Sequence, residues 1–346
     1  MLKYTIKRLI LAFFTTVIIL SLTFVLMKLL PFTKPIGDDR TCFAYYMDQV
    51  QQGFVDVFER EVSGHGEWLW YYHPPGEKTT YYFYQTPIIQ QYFRWVGNIV
   101  TKWDWGTSSK IRLNVKAIVI IKDLIPISIR LNVISVIASV PLGIFLGIVA
   151  ALNKNKWIDH FISTAVMVFI SIPGFILITF SILILAYNLH WVPSQWPQPT
   201  DPIKMKVLGY IIPIFVLSFG SVCGYCRSVR AELCEVMASE YLLLARTKGL
   251  TKRQAIIRHA LRNAMVPIVP AILGEFIGVL GGSMILETLY GIPGIGRLFV
   301  TALNAQDYNV LFVDMALFTT IGLVAGVFLD LSYGLIDPRI RMGAKK

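Results

Sequence analysis

Six long stretches of this chain carry almost no charge, and that one feature decides what it can fold into. They lie at about 9–30, 126–152, 160–187, 207–226, 264–287 and 312–334, and each reaches the roughly 20 residues a helix needs to cross a hydrocarbon core. Inside lipid every backbone N–H and C=O must be paired within its own segment, so runs of this length read as helices. The expected fold class is an all-α polytopic membrane protein of about six transmembrane helices. Composition agrees. The chain is 55% hydrophobic and 15% charged, and a soluble domain of 346 residues would need far more polar surface to cover itself. The N-terminus has a basic start like a signal peptide, but its uncharged run Leu9–Met27 is too long for one and no small-x-small cleavage site follows. An uncleaved first spanning helix is expected.

The net charge of +11 does not point to nucleic acid. The Lys and Arg residues sit in short clusters beside the apolar runs, as orientation signals do. Lys3, Lys7 and Arg8 precede the first run, and Lys154 and Lys156 follow the second. Arg227, Arg230, Arg246, Lys248, Lys252, Arg253, Arg258 and Arg262 follow the fourth, and Arg339, Arg341, Lys345 and Lys346 end the chain. In a six-span topology all four groups fall on one side, which is cytoplasmic by the positive-inside rule. Both termini are therefore expected in the cytoplasm.

The opposite side receives residues 31–122, an extracytoplasmic insertion between helices 1 and 2. There acidic and basic residues nearly balance and aromatics are frequent, among them Trp68, Trp70, Tyr71, Tyr72 and the 81–84 run. These can form a modest core, a belt at the membrane surface, or a contact for an external protein. Trp191 and Trp196 lie among prolines in the 188–206 loop and suit an interfacial belt. The organisation read from the sequence is a first helix (1–30), the extracytoplasmic region (31–122), and a transmembrane domain (123–346) with a cytoplasmic loop at 227–263.

Within the spans, Gly143 with Gly147 and Gly274 with Gly278 have the spacing that lets helix backbones approach closely, and Gly281 and Gly282 extend the second small face. Pro141, Pro173, Pro213, Pro267 and Pro270 predict kinks. Glu275 stands alone in an apolar run, where a carboxylate is expensive; it either lines a translocation pathway or pairs with a polar group between helices. No metal or cofactor site is expected. Cys223 and Cys226 have no second ligand pair, and His65, His73, His160, His190 and His259 are scattered. No convergent acid–base set, Walker A sequence or inverted repeat appears, which argues against an enzyme, a nucleotide hydrolase and a secondary transporter.

The 227–263 loop has the sharpest local pattern. SEYLLLARTKGLTKRQAIIRHALRNAMVP reads as two helices broken at Gly249, with Ser239 as N-cap and Lys248–Gly249 as the C-terminus. Thr251 and Gln254 have capping-box spacing for the second start. The first helix offers an apolar side of Tyr241, Leu242, Leu244 and Ala245 outside the hydrocarbon. Such a face needs a protein groove or an anionic lipid surface.

Glu240–Gly249, followed by RHALRNAMVP, resembles the coupling ("EAA") loop of bacterial ABC importer permeases, in the form used by the oligopeptide and dipeptide permease family. WDWGTSS (103–109), the 124–152 stretch, GGSMILETLYGIPGIGRLFVTALNAQDYNVL (281–311) and DLSYGLIDPRIRM (330–342) resemble that family too, in the right order over about 100–346. Where the general motif has Glu-Ala-Ala this chain has Leu243-Leu244-Ala245, so only Ala245 and Gly249 keep register and the acid sits earlier, at Glu240. The 31–100 region is not a close match.

The resemblance implies a peptide permease subunit in a bacterial cell (inner) membrane. It implies a second related permease subunit, two cytoplasmic ABC ATPase subunits and an extracytoplasmic peptide-binding lipoprotein as partners, with lipid around the spans. A coupling helix at about Ser239–Lys248 would dock an ATPase through Glu240, Tyr241, Leu244, Ala245, Lys248 and Gly249, and this chain itself would hold no cofactor. A nickel or metal-chelate permease is the alternative within the same family.

Overall fold

The apolar runs do form helices in the computed structural model, which describes residues 2–29, 38–62, 68–76, 78–278 and 282–336. In chain order the first elements are α1 (Leu2–Lys28), α2 (Asp39–Gln52), β1 (Val55–Phe58), β2 (Trp70–Tyr72), β3 (Tyr81–Gln85) and α3 (Ile88–Lys102). There follow α4 (Ala117–Leu152), α5 (Trp157–Ile170), α6 (Gly174–Ser181, continued by a π-helical stretch Ile182–Asn188), α7 (Ile203–Leu208), α8 (Ile211–Met237) and α9 (Glu240–Thr247). The last are α10 (Lys252–Ala255), joined by a π turn to α11 (Leu261–Ala264), then α12 (Ile268–Gly278), α13 (Met284–Tyr290), α14 (Ile295–Ala305) and α15 (Tyr308–Ile336). Gly281, His65 and the chain from residue 337, with its four basic residues and the end of the 330–342 motif, lie outside the described residues.

By length and composition four helices can cross a membrane: Thr5–Lys28, Ala117–Leu152, Ile203–Met237 and Tyr308–Ser332. Two bent pairs raise the number to six, Trp157–Ile170 with Gly174–Asn188 (98°) and Arg253–Ala264 with Ile268–Phe276 (54°). Counted with each bent pair as one span, the described residues give the expected six, but their ends differ for physical reasons. α4 begins at Ala117 because 117–121 is already apolar, and it accommodates both Pro126 and Pro141. The third span breaks at Pro173, whose ring and missing N–H end the ladder of α5. The fourth runs to Met237, so residues 227–237 of the expected loop are span helix continued. The fifth stretch is broken near Pro267; α12 is described as far as Gly278, and Gly282 and Ser283 are not helical, so no single helix reaches 287.

The chain separates into two compact units. One comprises Leu11–Asp123 and Leu298–Thr319. In it β3 is the central strand of an antiparallel sheet ordered β1-β3-β2, with Val57 and Trp70 both opposite Phe83. Strand period two sends Phe83 to the inner face and Tyr82 to the outer. On the inner face Tyr46 of α2 stacks on Trp70 at 5.2 Å, and Tyr46, Val55 and Phe83 form a buried cluster. The aromatics of this region therefore divide: these make a core, whereas Trp68 and Tyr71 stay exposed. A second cluster joins Phe24 of α1 to Trp95 of α3 (ring centroids 5.0 Å apart) and to Phe312 of α15 (5.4 Å).

In the same unit two segments distant in sequence interlock. The Asp307 carboxylate, fully buried, accepts from Ser108 Oγ (2.5 Å) and from the backbone N–H groups of Lys110 and Ile111 (both 3.1 Å). Asn309 donates to the Thr107 carbonyl at 2.9 Å. The 103–109 and 281–311 motifs thus meet in space, tied by charge-assisted bonds.

The other unit comprises Met1–Ile10, Leu124–Arg297 and Thr320–Lys346. Here α4 lies close against α8. A Cβ on Gly143 would stand 2.9 Å from the Val222 carbonyl oxygen, and one on Gly147 would stand 2.8 Å from that of Cys226. This small-residue pair is consumed by packing within the chain. Gly274 faces Leu329 of α15, and among the described residues none lies within 4 Å of a Cβ placed on Gly278.

Candidate functional site

Residues 239–263 form two helical stretches broken at Gly249 as expected, while 227–237 continue α8 and both the N-cap bond and one face differ. Ser239 occupies the N-cap position of α9 with extended backbone, but its hydroxyl donates to the Val236 carbonyl instead of capping. Gly249 takes φ +92°, the left-handed conformation that lets the chain turn after the helix. The capping box is reciprocal: Thr251 Oγ1 accepts from Gln254 N–H (3.3 Å) and Gln254 Oε1 from Thr251 N–H (3.1 Å).

Leu242, read in the sequence as part of the outward apolar side, points inward. It is buried against Leu233, Ala255, Ile256, Ala260, Ala264 and Ala151 of α4. The outward apolar residues are instead Tyr241, Leu243 and Leu244, with Ala245 partly covered and Glu240, Arg246, Lys248 and Gly249 exposed around them. An eight-residue helix has too few turns to be stable alone. Here one buried leucine and the alanine-rich helical turn beneath it hold α9 in place while its other side stays open. No Cβ on Gly249 would collide with anything, so its requirement comes from φ alone.

Glu275 of α12 has the polar partners on a neighbouring helix that one of the two sequence readings requires. Its carboxylate accepts hydrogen bonds from Ser221 and Tyr225 of α8. It also lines an open cavity of about 350 Å³ bounded by Ser228, Glu232, Pro267 and Ala271. Every polar side chain of that lining is a hydroxyl or a carboxylate.

Two further charged sites of this unit were not singled out from the sequence. Asp159, buried near the start of α5, forms a bidentate pair with Arg230 of α8, with Nη2–Oδ2 at 2.8 Å. Arg230 reads as one more orientation charge in the sequence, and only the lone acid at the start of a span hints at its partner. Glu287 of α13 is also buried. It accepts from Ser128 Oγ (2.8 Å), Ser283 N–H (3.2 Å) and Arg297 N–H at the start of α14 (3.0 Å). Ser128 Oγ in turn accepts from Ile295 N–H. A Cβ on Gly294 would stand 2.4 Å from Glu287 Oε2, which explains a glycine there. An isolated acid followed by Gly-Ile-Pro-Gly-Ile-Gly is the signal that marks this knot in the sequence.

A family model described as "Binding-protein-dependent transport system inner membrane component" matches residues 143–342. The dipeptide transport system permease protein DppB of Bacillus subtilis (strain 168) is 31% identical over 351 residues, covering 100% of both chains. The oligopeptide transport system permease protein OppB of Haemophilus influenzae is 30% identical over 342 residues, 99% of this chain and 100% of the relative. That of Escherichia coli (strain K12) is 29% identical over 343 residues, with the same coverage. Among solved structures, one of the MetNI methionine ABC transporter in inward-facing conformations aligns at a TM-score of 0.51 and 17% identity, over 64% of this chain and 97% of that one. That likeness supports the fold.

Proposed function

This chain belongs to the binding-protein-dependent transport system inner-membrane component family, and from that premise we propose that it is the transmembrane permease subunit of an ATP-driven peptide importer. Its full-length relatives are dipeptide and oligopeptide permeases. A metal-chelate substrate is the less favoured reading. The observation that carries the coupling mechanism is α9, a short helix outside the long spans with Leu242 buried and Tyr241, Leu243 and Leu244 outward.

In this reading two cytoplasmic ATPase subunits serve the assembly. One grips α9 through Tyr241, Leu244 and Ala245, with Glu240 and Lys248 at the rim and Gly249 fixing the angle of the helix. A second related permease completes the pathway, and an extracytoplasmic lipoprotein delivers peptide. ATP is hydrolysed in the ATPases, and the permease converts their closure into exposure of the pathway to the other side. Both termini are cytoplasmic, residues 31–122 lie outside the cell membrane, and 123–346 form the transport domain. Glu275 lines the pathway; its cavity and its surplus of acceptor oxygens support this.

The test is uptake of labelled peptide by the assembled transporter. Ala245→Asp and Gly249→Val are expected to insert normally but to uncouple ATP hydrolysis from uptake. Normal import by both, with an ATPase still co-purifying, would refute docking at α9.

A further inference from the structure

Asp159 and Arg230 are more tightly bound than a surface orientation charge needs to be. Asp159 Oδ1 accepts from Arg230 Nε (2.5 Å) and Ser163 Oγ (3.2 Å), and Oδ2 accepts from Arg230 Nη2 (2.8 Å) and Asn155 N–H (2.9 Å). The carboxylate therefore fixes three things at once: the first turn of α5, the backbone of the turn before it, and α8. Asn155 in that turn has φ +64°, a conformation asparagine tolerates better than most residues. The same turn follows Ala151 of α4, which packs in the cluster that holds Leu242 of α9.

Other contacts between α5 and α8 are apolar, among them Val166 and Ile162 beside Cys223 and Cys226, and Phe169 edge-on to Phe219 at 4.9 Å. Apolar surfaces of this kind can slide past one another, as in shear motions of packed helices. A bidentate guanidinium–carboxylate pair has one geometry and resists sliding. It lies seven residues before the end of α8, the helix that leads through two residues into α9. At its far end α5 meets the 98° break into α6.

We propose that Asp159 and Arg230 are a positioning pair that makes α5 follow α8 when α9 is displaced, so that the two helices move as one body and deliver the motion to the α5–α6 break. The proposal rests on the reading of α9 as the coupling helix.

The experiment uses the assembled transporter in lipid, with its ATPases and binding protein. Spin labels are placed on Phe161→Cys of α5 and Arg227→Cys of α8, both exposed, after replacement of the four native cysteines. With the pair intact, the label distance is expected to be the same with and without bound ATP. In Asp159→Asn it should change with nucleotide, and peptide imported per ATP should fall about fivefold or more, the low end of an ordinary coupling free energy. Arg230→Lys, which keeps the charge and loses the fork, should lie between. It carries both readouts should Asp159→Asn fail to accumulate. A nucleotide-dependent distance with the pair intact overturns the proposal. So does wild-type import per ATP in Asp159→Asn or Arg230→Lys, including the case where less complex is made but what is made works normally. Ala245→Asp serves as the reference: if it stays coupled, the α9 reading fails, and if it uncouples while Asp159→Asn does not, only the positioning pair fails.

Discussion

Glu275 and Glu287 are twelve positions apart, both acids amid apolar residues, yet their surroundings are opposite. Glu287 is buried and held mainly by the backbone N–H groups of Ser283, just before α13, and Arg297, in the first turn of α14, plus one serine. Among the described residues, Glu275 is held by two side-chain hydroxyls, and it borders an open cavity. Backbone donors cannot turn away without unfolding the helix ends that carry them, whereas hydroxyls rotate freely. The first acid is therefore a fixture of the fold, whereas the donors of the second can turn away, as the pathway role proposed above requires. An acid in an apolar stretch is costly either way; the two differ in what their donors are made of.

The strongest way to break this contrast is Glu287→Gln. It turns an acceptor toward N–H groups into a partial donor, and a cost of about 3 kcal/mol is expected for a disrupted buried charge network. The measurement is the amount of folded permease and its thermal unfolding in detergent; wild-type stability would dissolve the distinction. Gly294→Ala should cost about 2 kcal/mol by overpacking, since its Cβ would stand 2.4 Å from Glu287 Oε2. Its effect should shrink in a Glu287→Ala background, which removes the side-chain atoms the new methyl would meet, and a double-mutant cycle reads this directly.

Glu275→Gln should change stability by less than about 1 kcal/mol while lowering peptide uptake at equal abundance. Unchanged uptake would move Glu275 to the structural side. Asp48 sharpens the contrast at its weak end. It accepts from two side chains, Gln52 (2.6 Å) and Thr107 (2.7 Å), and burial raises it above the usual carboxylate range. A raised folded value means this group contributes stability below the unfolded carboxylate range that is lost as pH rises through the folded value. Thermal unfolding of Asp48→Asn between about pH 4 and pH 7, roughly the range over which carboxylates titrate, should show a slightly flatter profile than the parent chain.

The spans were legible in the sequence because lipid leaves few alternatives, and the capping box and Gly249 because their residues admit few conformations. The inward turn of Leu242 was not. Four of the five residues from Tyr241 to Ala245 are large and apolar or aromatic, so in so short a helix the pattern fits more than one buried face, and only contact with Ala255, Ile256 and Ala260 selects one. Arg230 reads as a surface charge in the sequence because a basic residue near a span end satisfies the topology rule whether or not it has a partner. Glu287 needed Ser128, 159 positions earlier, and no local pattern reports such a pairing.

α8 has a mechanical consequence of its own. Its 27 residues make a rod of about 40 Å at 1.5 Å per residue, against roughly 30 Å of hydrocarbon. The rod is thus about 10 Å longer than the hydrocarbon is thick, and α9 follows its C-terminal end. A tilt of only about 5° about the opposite end would carry the α9 end some 3–4 Å sideways, on the order of two helical residues' rise. The rod converts a small rotation into a displacement comparable with a side chain's width, and the length of one uninterrupted helix sets that gain.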